Sequence, residues 1–100
     1  MLNITKTQNE GNLTVKLAGR LDTTTAPDLE SQLKDGIESV KDLVLDFKDL
    51  DYISSAGLRV LLSLQKIMNA QGSMKLINVG EVIQEIFYVT GFSDIQKIEG

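Results

Sequence analysis

The amino-acid sequence predicts an α/β fold in which a mixed β-sheet with a parallel centre packs against helices. The main observation is the order of the elements, which reads strand, strand, helix, strand, helix, strand, helix, strand. Strands reached through a helix run parallel to their neighbours, and such crossovers are nearly always right-handed. The length of 100 residues, with 42% hydrophobic and 24% charged residues, is that of one globular domain, 1–100.

The first two elements form a predicted β-hairpin. Leu2 and Ile4 alternate with polar residues, and the same alternation recurs over residues 13–17, which is the period of a half-buried strand. The segment between them, residues 8–12, reads Gln-Asn-Glu-Gly-Asn and has the composition of a turn. We therefore expect two antiparallel strands joined by a short connection.

The third element is a predicted helix from Thr25 to about Ser39. Thr25 comes shortly before a proline, which is tolerated in a first helical turn, and acidic residues follow where the helix dipole favours negative charge. The apolar residues that then recur every four positions are Leu29, Leu33 and Ile37.

A short apolar run at residues 43–47, interrupted only by Asp46, predicts the central parallel strand, covered on both faces. After it we expect a loop from Lys48 to Ser54. A helix should then extend from about Ser55 to Ala70 and end at Gly72, because glycine is the usual residue just beyond a helix C-terminus.

The last part of the chain predicts a strand at Met74–Val79, a helix at Gly80–Thr90 and a short final strand around residues 95–98. The helical spacing is carried by Val82, Ile86 and Val89. Gly91 followed by Phe92 matches a helix that ends at glycine and whose next apolar residue packs back.

The composition excludes several classes of function. The chain has no Cys and no His, so it lacks thiolate chemistry, the usual neutral-pH base and the commonest metal ligand. Its net charge is −4 and its basic residues form no cluster, so we expect no direct contact with nucleic acid. No apolar run approaches the roughly 20 residues that span a bilayer, and the N-terminus lacks the form of a signal peptide. We expect a cytoplasmic protein without membrane insertion.

Metal and cofactor sites are also disfavoured. Asp46, Asp49 and Asp51 could ligate Mg²⁺ or Ca²⁺, but their spacing lacks the glycine and terminal glutamate of a calcium loop. No glycine-rich phosphate loop followed by lysine occurs either. We expect no metal, no cofactor and no nucleotide hydrolysis.

The segment after the central strand holds the candidate site. Ser54 and Ser55 stand at the start of the following helix, where unpaired backbone N–H groups and the positive end of the dipole favour a phosphate. Serine is also a favoured N-cap residue, so capping is the alternative role. A nucleophilic serine needs a base, normally histidine, whereas a serine that another protein modifies needs none.

A helical wheel drawn from Gly57 separates two kinds of apolar residue on this helix. One stripe, expected to face the core, consists of Val60, Leu61, Leu64, Ile67 and Met68. Leu58 and Leu62 fall away from its centre and either contact a partner or widen the core face. Arg59 lies on the polar side, where it either pairs with a phosphate or a partner's acid or is solvated.

Two segments together resemble a known family. Residues 19–26 read Gly-Arg-Leu-Asp-Thr-Thr-Thr-Ala, and residues 51–62 read Asp-Tyr-Ile-Ser-Ser-Ala-Gly-Leu-Arg-Val-Leu-Leu. Both resemble motifs of the STAS domain of bacterial anti-sigma-factor antagonists, and the resemblance covers essentially the whole chain in length and element order. It implies that the α/β domain has the STAS fold.

The resemblance implies a function in partner switching. In that family the unmodified antagonist binds an anti-sigma factor that is also an ATP-dependent serine kinase, and this frees a sigma factor. Phosphorylation of the antagonist breaks the complex, and a metal-dependent serine phosphatase restores it. We therefore expect a binding protein without catalysis of its own, whose partners are such a kinase and such a phosphatase.

The resemblance also implies which residues act. The family's phosphorylated serine stands two positions before the motif's glycine, which is Ser55 when counted from Gly57. Ser54 replaces the family's usual aspartate and remains the alternative acceptor. Asp22 matches an acidic residue near the phosphorylation loop, with a turn or capping role as its alternative. The candidate partner contacts are Asp22, Thr23, Ser54, Gly57, Leu58, Arg59 and Leu62.

Two other functions remain open. A STAS domain of this size could be a non-switching adaptor subunit of a transporter or of a lipid-trafficking complex. A small enzyme or nucleotide-binding domain is disfavoured, since the chain lacks His, Cys and a phosphate loop.

Overall fold

A computed structural model describes residues 2–90, and its elements follow the predicted order. They are β1 (Leu2–Asn9), β2 (Asn12–Leu21), α1 (Ala26–Lys34), a short 3₁₀ turn (Ile37–Ser39), β3 (Asp42–Ile53), α2 (Ser55–Gln71), β4 (Ser73–Ile77) and α3 (Glu81–Thr90). The expected strand at residues 95–98 and the expected helix end at Gly91 lie outside the described residues.

The four described strands form a mixed sheet in the order β1-β2-β3-β4. β1 and β2 pair antiparallel as the predicted hairpin, whereas β2 with β3 and β3 with β4 pair parallel. The helical crossovers make these parallel pairings possible, because a tight turn can join only antiparallel strands. The predicted mixed sheet with a parallel centre is confirmed.

The core lies on one face of the sheet, where helices cover it. Along β3 the side chains of Leu43, Leu45 and Phe47 are buried, and the Phe47 ring meets Phe87 of α3 at a centroid distance of 6.1 Å and an interplanar angle of 54°. Val44, on the opposite face of β3, is only half-buried. The expectation that β3 is covered on both faces was wrong, since a parallel strand here follows the period-2 alternation of a one-sided sheet.

Two predicted boundaries were also wrong. Helix α1 ends at Lys34 and not near Ser39, because Gly36 adopts a left-handed φ of 80° that stops the helix, and Ile37 reaches the core from the 3₁₀ turn instead. The expected loop at residues 48–54 is strand up to Ile53. This polar stretch pairs with the end of β2 across two register shifts, which turn its apolar residues inward.

The end of α2 agrees with the prediction that Gly72 follows it. A Cβ atom at Gly72 would lie 1.8 Å from the carbonyl oxygen of Lys41, so the residue must be glycine to let α2 turn into β4 beside the start of β3. Helix α3 is where expected, but it buries Ile83 and Phe87, while Val82 and Val89 are 63% and 76% exposed. The stripe that predicted α3 is therefore not its core face.

No helix within residues 2–90 combines the length and the hydropathy needed to cross a bilayer.

Candidate functional site

The sheet brings the two predicted motif segments to the same edge. Leu21, the last residue of β2, pairs with Ile53, the last residue of β3, and the backbone N–H of Ser54 donates to the carbonyl of Leu21 at 2.8 Å. The connections that follow, into α1 and into α2, therefore start side by side. This is the carboxyl-terminal edge of parallel strands, where ligand and modification sites of α/β folds are commonly found.

Asp22 organises the connection between β2 and α1. Its Oδ1 accepts hydrogen bonds from the Thr24 hydroxyl at 2.7 Å, the Thr24 N–H at 3.0 Å and the Thr25 N–H at 3.1 Å. The Thr24 hydroxyl, helped by these N–H groups, holds the pKa of Asp22 below its ordinary value, against the opposing effect of burial. Asp22 thus has the turn-capping role that the sequence left open. The same hydrogen bonds favour its ionised form at the edge of the site.

Thr25 does not cap α1 through its side chain. Its Oγ1 accepts from the Asp22 N–H at 2.8 Å and donates to the carbonyl of Arg20, also at 2.8 Å. The hydroxyl therefore joins the end of β2 to the start of α1, and Thr25 is buried as a consequence.

Arg20 and Tyr52 were not singled out from the sequence, yet they lie beside Asp22. The Arg20 guanidinium lies 4.5 Å from the centroid of the Tyr52 ring, and its Nε is 3.8 Å from the Asp22 carboxylate. The two residues are register partners at the ends of β2 and β3. That relation becomes visible in the sequence only if the register shifts of this strand pair are known.

The two serines at the start of α2 have different environments. Ser54 is the N-cap, and its side-chain oxygen accepts from the Gly57 N–H at 3.3 Å while the residue is half-buried. Ser55 is the first helical residue, and its side chain is exposed. Within residues 2–90 the Ser55 hydroxyl has no hydrogen-bond partner. Ser55 is therefore accessible to another protein, whereas Ser54 holds the helix end.

Gly57 is buried where α2 crosses the ends of β2 and β3. A Cβ atom there would lie 2.8 Å from Cγ of Leu21 and 2.9 Å from Cγ1 of Ile53. Because residue 57 is glycine, the first turn of α2, which contains Ser55, packs closely against the ends of β2 and β3. Gly57 is itself buried, and its expected role as a partner contact remains a prediction.

The flanking residues of α2 divide between core and surface. Leu58 is 9% exposed and belongs to the core, Leu62 is half-buried against it, and Arg59 is exposed. A groove of about 280 Å³ separates the first turns of α1 and α2. Residues on its walls include Thr23, Pro27, Glu30, Ala56 and Arg59. Of the predicted partner contacts, Thr23 and Arg59 share this groove.

The sequence model of the STAS domain family matches residues 3–100. The chain belongs to the STAS domain family. It is 37% identical over 98 residues to the anti-sigma-B factor antagonist of Bacillus subtilis, and the match covers 97% of this chain and 90% of that protein. The expected family and STAS fold are thereby confirmed.

Solved structures have the same fold as this STAS domain. An anti-sigma factor antagonist from Mycobacterium paratuberculosis superposes with a TM-score of 0.89 at 20% identity, covering 99% of this chain and 86% of that one. The Bacillus cell fate determinant SpoIIAA in its phosphorylated form gives a TM-score of 0.77 at 17% identity, covering 96% and 90%.

Asp46, an acidic residue of β3 in this STAS domain, has hydrogen-bond partners of its own. Oδ1 of Asp46 accepts from the Lys48 N–H and from the Asn78 amide, each at 3.0 Å, which directs it toward the end of β4. Burial raises the pKa of Asp46, but these hydrogen bonds and the charges of Lys16 and Lys48 lower it overall. In the part of the chain that the structure describes, no group of three or more acidic side chains is arranged to hold a metal ion.

Proposed function

We propose that this STAS domain is an anti-sigma-factor antagonist that is switched by phosphorylation of Ser55. The observation that carries the proposal is the 37% identity to the anti-sigma-B factor antagonist of Bacillus subtilis over 97% of the chain. The domain acts by binding an anti-sigma factor and has no catalysis of its own. Its partners are an anti-sigma factor that is also a serine kinase and a metal-dependent phosphatase.

The environment of the serines supports Ser55 as the acceptor. A kinase must reach the hydroxyl, and Ser55 is exposed and unbonded within the described residues, whereas the Ser54 oxygen holds the Gly57 N–H. For the Ser54 hydroxyl to enter a kinase active site, its hydrogen bond with the Gly57 N–H would have to open, and such an N-cap typically contributes about 0.5–2 kcal/mol to stability. Phosphorylation of Ser55 leaves that cap in place.

A phosphate on Ser55 acts on the interface and not on the fold. It adds about −1.5 to −2 charges and three acceptor oxygens at a helix N-terminus, where negative charge is favourable. The same group adds bulk and charge beside the groove between α1 and α2, on the surface proposed to meet the anti-sigma factor. The phosphate therefore weakens partner binding while the domain remains folded.

Mass spectrometry of the protein from its native cell tests the site. Trypsin cleaves after Lys48 and Arg59 and releases residues 49–59, which contain both serines. We expect a phosphate on Ser55 whose occupancy changes with growth condition. A phosphate on Ser54 would correct the site. An unmodified peptide in every condition, together with copurified membrane subunits, would favour the adaptor function and overturn the proposal.

Binding to the copurified kinase tests the switch. Ser55→Ala should bind as the unmodified protein does and should no longer accept phosphate, whereas Ser55→Asp should bind more weakly. Ser55→Asn is the matched control, since it has nearly the same size as Asp without the charge. Equal binding by the Asp and Asn variants would contradict an electrostatic switch.

A further inference from the structure

Helix α2 differs from the rest of the chain in its charge. The whole protein carries a net charge of −4, but α2 contains Arg59 and Lys66 and no acidic residue. The ion pairs within residues 2–90 join Arg20 to Asp22 and Lys34 to Glu30, and neither involves α2. Arg59 is exposed, and in the described residues no carboxylate pairs with it.

Arg59 stands one helical turn after Ser55 on the same face of α2. Residues four apart on a helix are neighbours, with Cβ atoms about 5–6 Å apart. Helical side chains lean toward the N-terminus of their helix, so a guanidinium at position 59 can reach a phosphate on residue 55. A guanidinium also presents paired N–H donors that fit phosphate oxygens.

Two carboxylates near the groove, those of Glu30 and Asp22, have other partners and do not occupy Arg59. Glu30 faces Arg59 from α1, but the Glu30 carboxylate lies 3.5 Å from the Lys34 ammonium and already has a cation. Asp22, at the end of β2, is engaged by Thr24, Thr25 and Arg20. Asp49 and Asp51, near the end of β3, are exposed carboxylates and would repel a phosphate.

We propose that Arg59 binds the phosphate of phosphorylated Ser55 within the same chain. The inference rests on the proposed function, because it describes the modified state of the same serine. The guanidinium stabilises the phosphate dianion. Since one guanidinium does not serve two anions equally well, its pairing with the phosphate also withdraws a cation from the groove between α1 and α2. Phosphorylation thus changes the groove in two ways, by adding an anion and by engaging Arg59.

The second pKa of the phosphate, measured by ³¹P NMR, tests the pairing. Phosphoserine is incorporated directly at position 55 during translation of the full chain, so no kinase is needed. A nearby cation lowers this pKa, and the Arg59→Gln variant should therefore raise it by roughly 0.2–0.7 unit, the shift that corresponds to an exposed ion pair. Arg59→Lys should restore part of the difference, because it keeps the charge but not the paired donors.

Lys66→Gln is the matched control on the same helix. It removes the same charge, but Lys66 is 11 residues from Ser55, about 16 Å along the helix axis, which exceeds the Debye length of about 8 Å at physiological salt. Its phosphate pKa should equal that of the wild type. An unchanged pKa in Arg59→Gln, or an equal shift in Lys66→Gln, would overturn the inference. Because the phosphoserine is installed directly, that result would leave the proposed function standing, whereas absence of phosphate in the cell would refute the proposed function alone.

Discussion

Replacement of Gly57 by alanine tests the packing role of this glycine. The added Cβ would lie 2.8 Å from Cγ of Leu21 and 2.9 Å from Cγ1 of Ile53. Both atoms are close to the backbone of their residues and cannot swing away as the end of a long side chain can. To reach 3.4 Å, where ordinary contacts begin, α2 and the strand ends must separate by roughly 0.5 Å.

The magnitude follows from two opposing effects. Overpacking a close contact costs about 1–3 kcal/mol, whereas alanine in a helix is favoured over glycine by up to about 1 kcal/mol. We expect a net loss of about 1–2 kcal/mol in the free energy of unfolding, measured by urea denaturation followed by circular dichroism. Leu21→Ala removes the nearest atoms, so the cost of Gly57→Ala should fall when it is introduced into Leu21→Ala.

Gly11→Ala is the matched control for this substitution. A Cβ at Gly11 would meet Cγ and Cβ of Lys41 at 3.1 and 3.3 Å, which are longer than the contacts at Gly57, so a shift of a few tenths of an ångström in the turn between β1 and β2 relieves them. We expect its stability to stay within about 0.5 kcal/mol of wild type. If Gly57→Ala proved as stable as wild type, or if its cost were unchanged in the Leu21→Ala background, the packing argument would be refuted.

Three further predictions concern the cap, the turn and the core. Ser54→Ala should lower the free energy of unfolding by about 1 kcal/mol in urea denaturation, and Ser55→Ala by less than about 0.5 kcal/mol, since only Ser54 caps α2. Because the pKa of Asp22 is lowered in the folded state, its stabilising effect is present above its unfolded pKa near 3.8 and is lost as the pH falls through the folded pKa. Between pH 6 and pH 3, the melting temperature should therefore fall less steeply for Asp22→Asn than for wild type. Equal slopes of melting temperature against pH would contradict this. Phe87→Ala should cost about 3–5 kcal/mol and Val89→Ala under about 0.5 kcal/mol, and equal costs would mean that the packed face of α3 is misassigned.

The sequence predicted the order and type of the described elements, but not every boundary. Residues 48–53 read Lys-Asp-Leu-Asp-Tyr-Ile, a mixture of charged and apolar side chains that does not alternate strictly, and a loop was expected there. They are strand because β2 pairs with them. With the register shifts of this strand pair, Asp49 and Asp51 are exposed to solvent, whereas Leu50 and Ile53 are buried. A local pattern does not contain that pairing, which joins residues about 30 positions apart along the chain.

The packed face of α3 could not be predicted for a different reason. Apolar residues lie all around this helix, so the stripe of Val82, Ile86 and Val89 and the stripe of Ile83 and Phe87 both fit a helical period. Only the position of Phe47 on β3, against which Phe87 packs, selects the second stripe. Helical periodicity established that α3 is a helix, and tertiary packing chose its orientation.

In the candidate site, too, the sequence and the structure contribute different information. The sequence placed two serines at the start of a helix and an aspartate at the end of the neighbouring strand, and the family resemblance alone favoured Ser55 over Ser54 as the acceptor. The structure adds that the Ser54 oxygen accepts the N-cap hydrogen bond from Gly57, whereas the Ser55 side chain is exposed.

The structure of α2 also explains why a switch at Ser55 need not act through the fold. Helices α1 and α3 each carry an acidic residue in the first turn, Asp28 and Glu81, whereas α2 carries none. A phosphate on Ser55 would supply the negative charge that the first turn of α2 lacks, and such a charge typically stabilises a helix by about 0.3–1 kcal/mol. Since the modification is favourable within the domain, its cost must fall on the complex. In the proposed switch, a protein that covers the start of α2 would then sense the phosphate, and partners could exchange without unfolding of the domain.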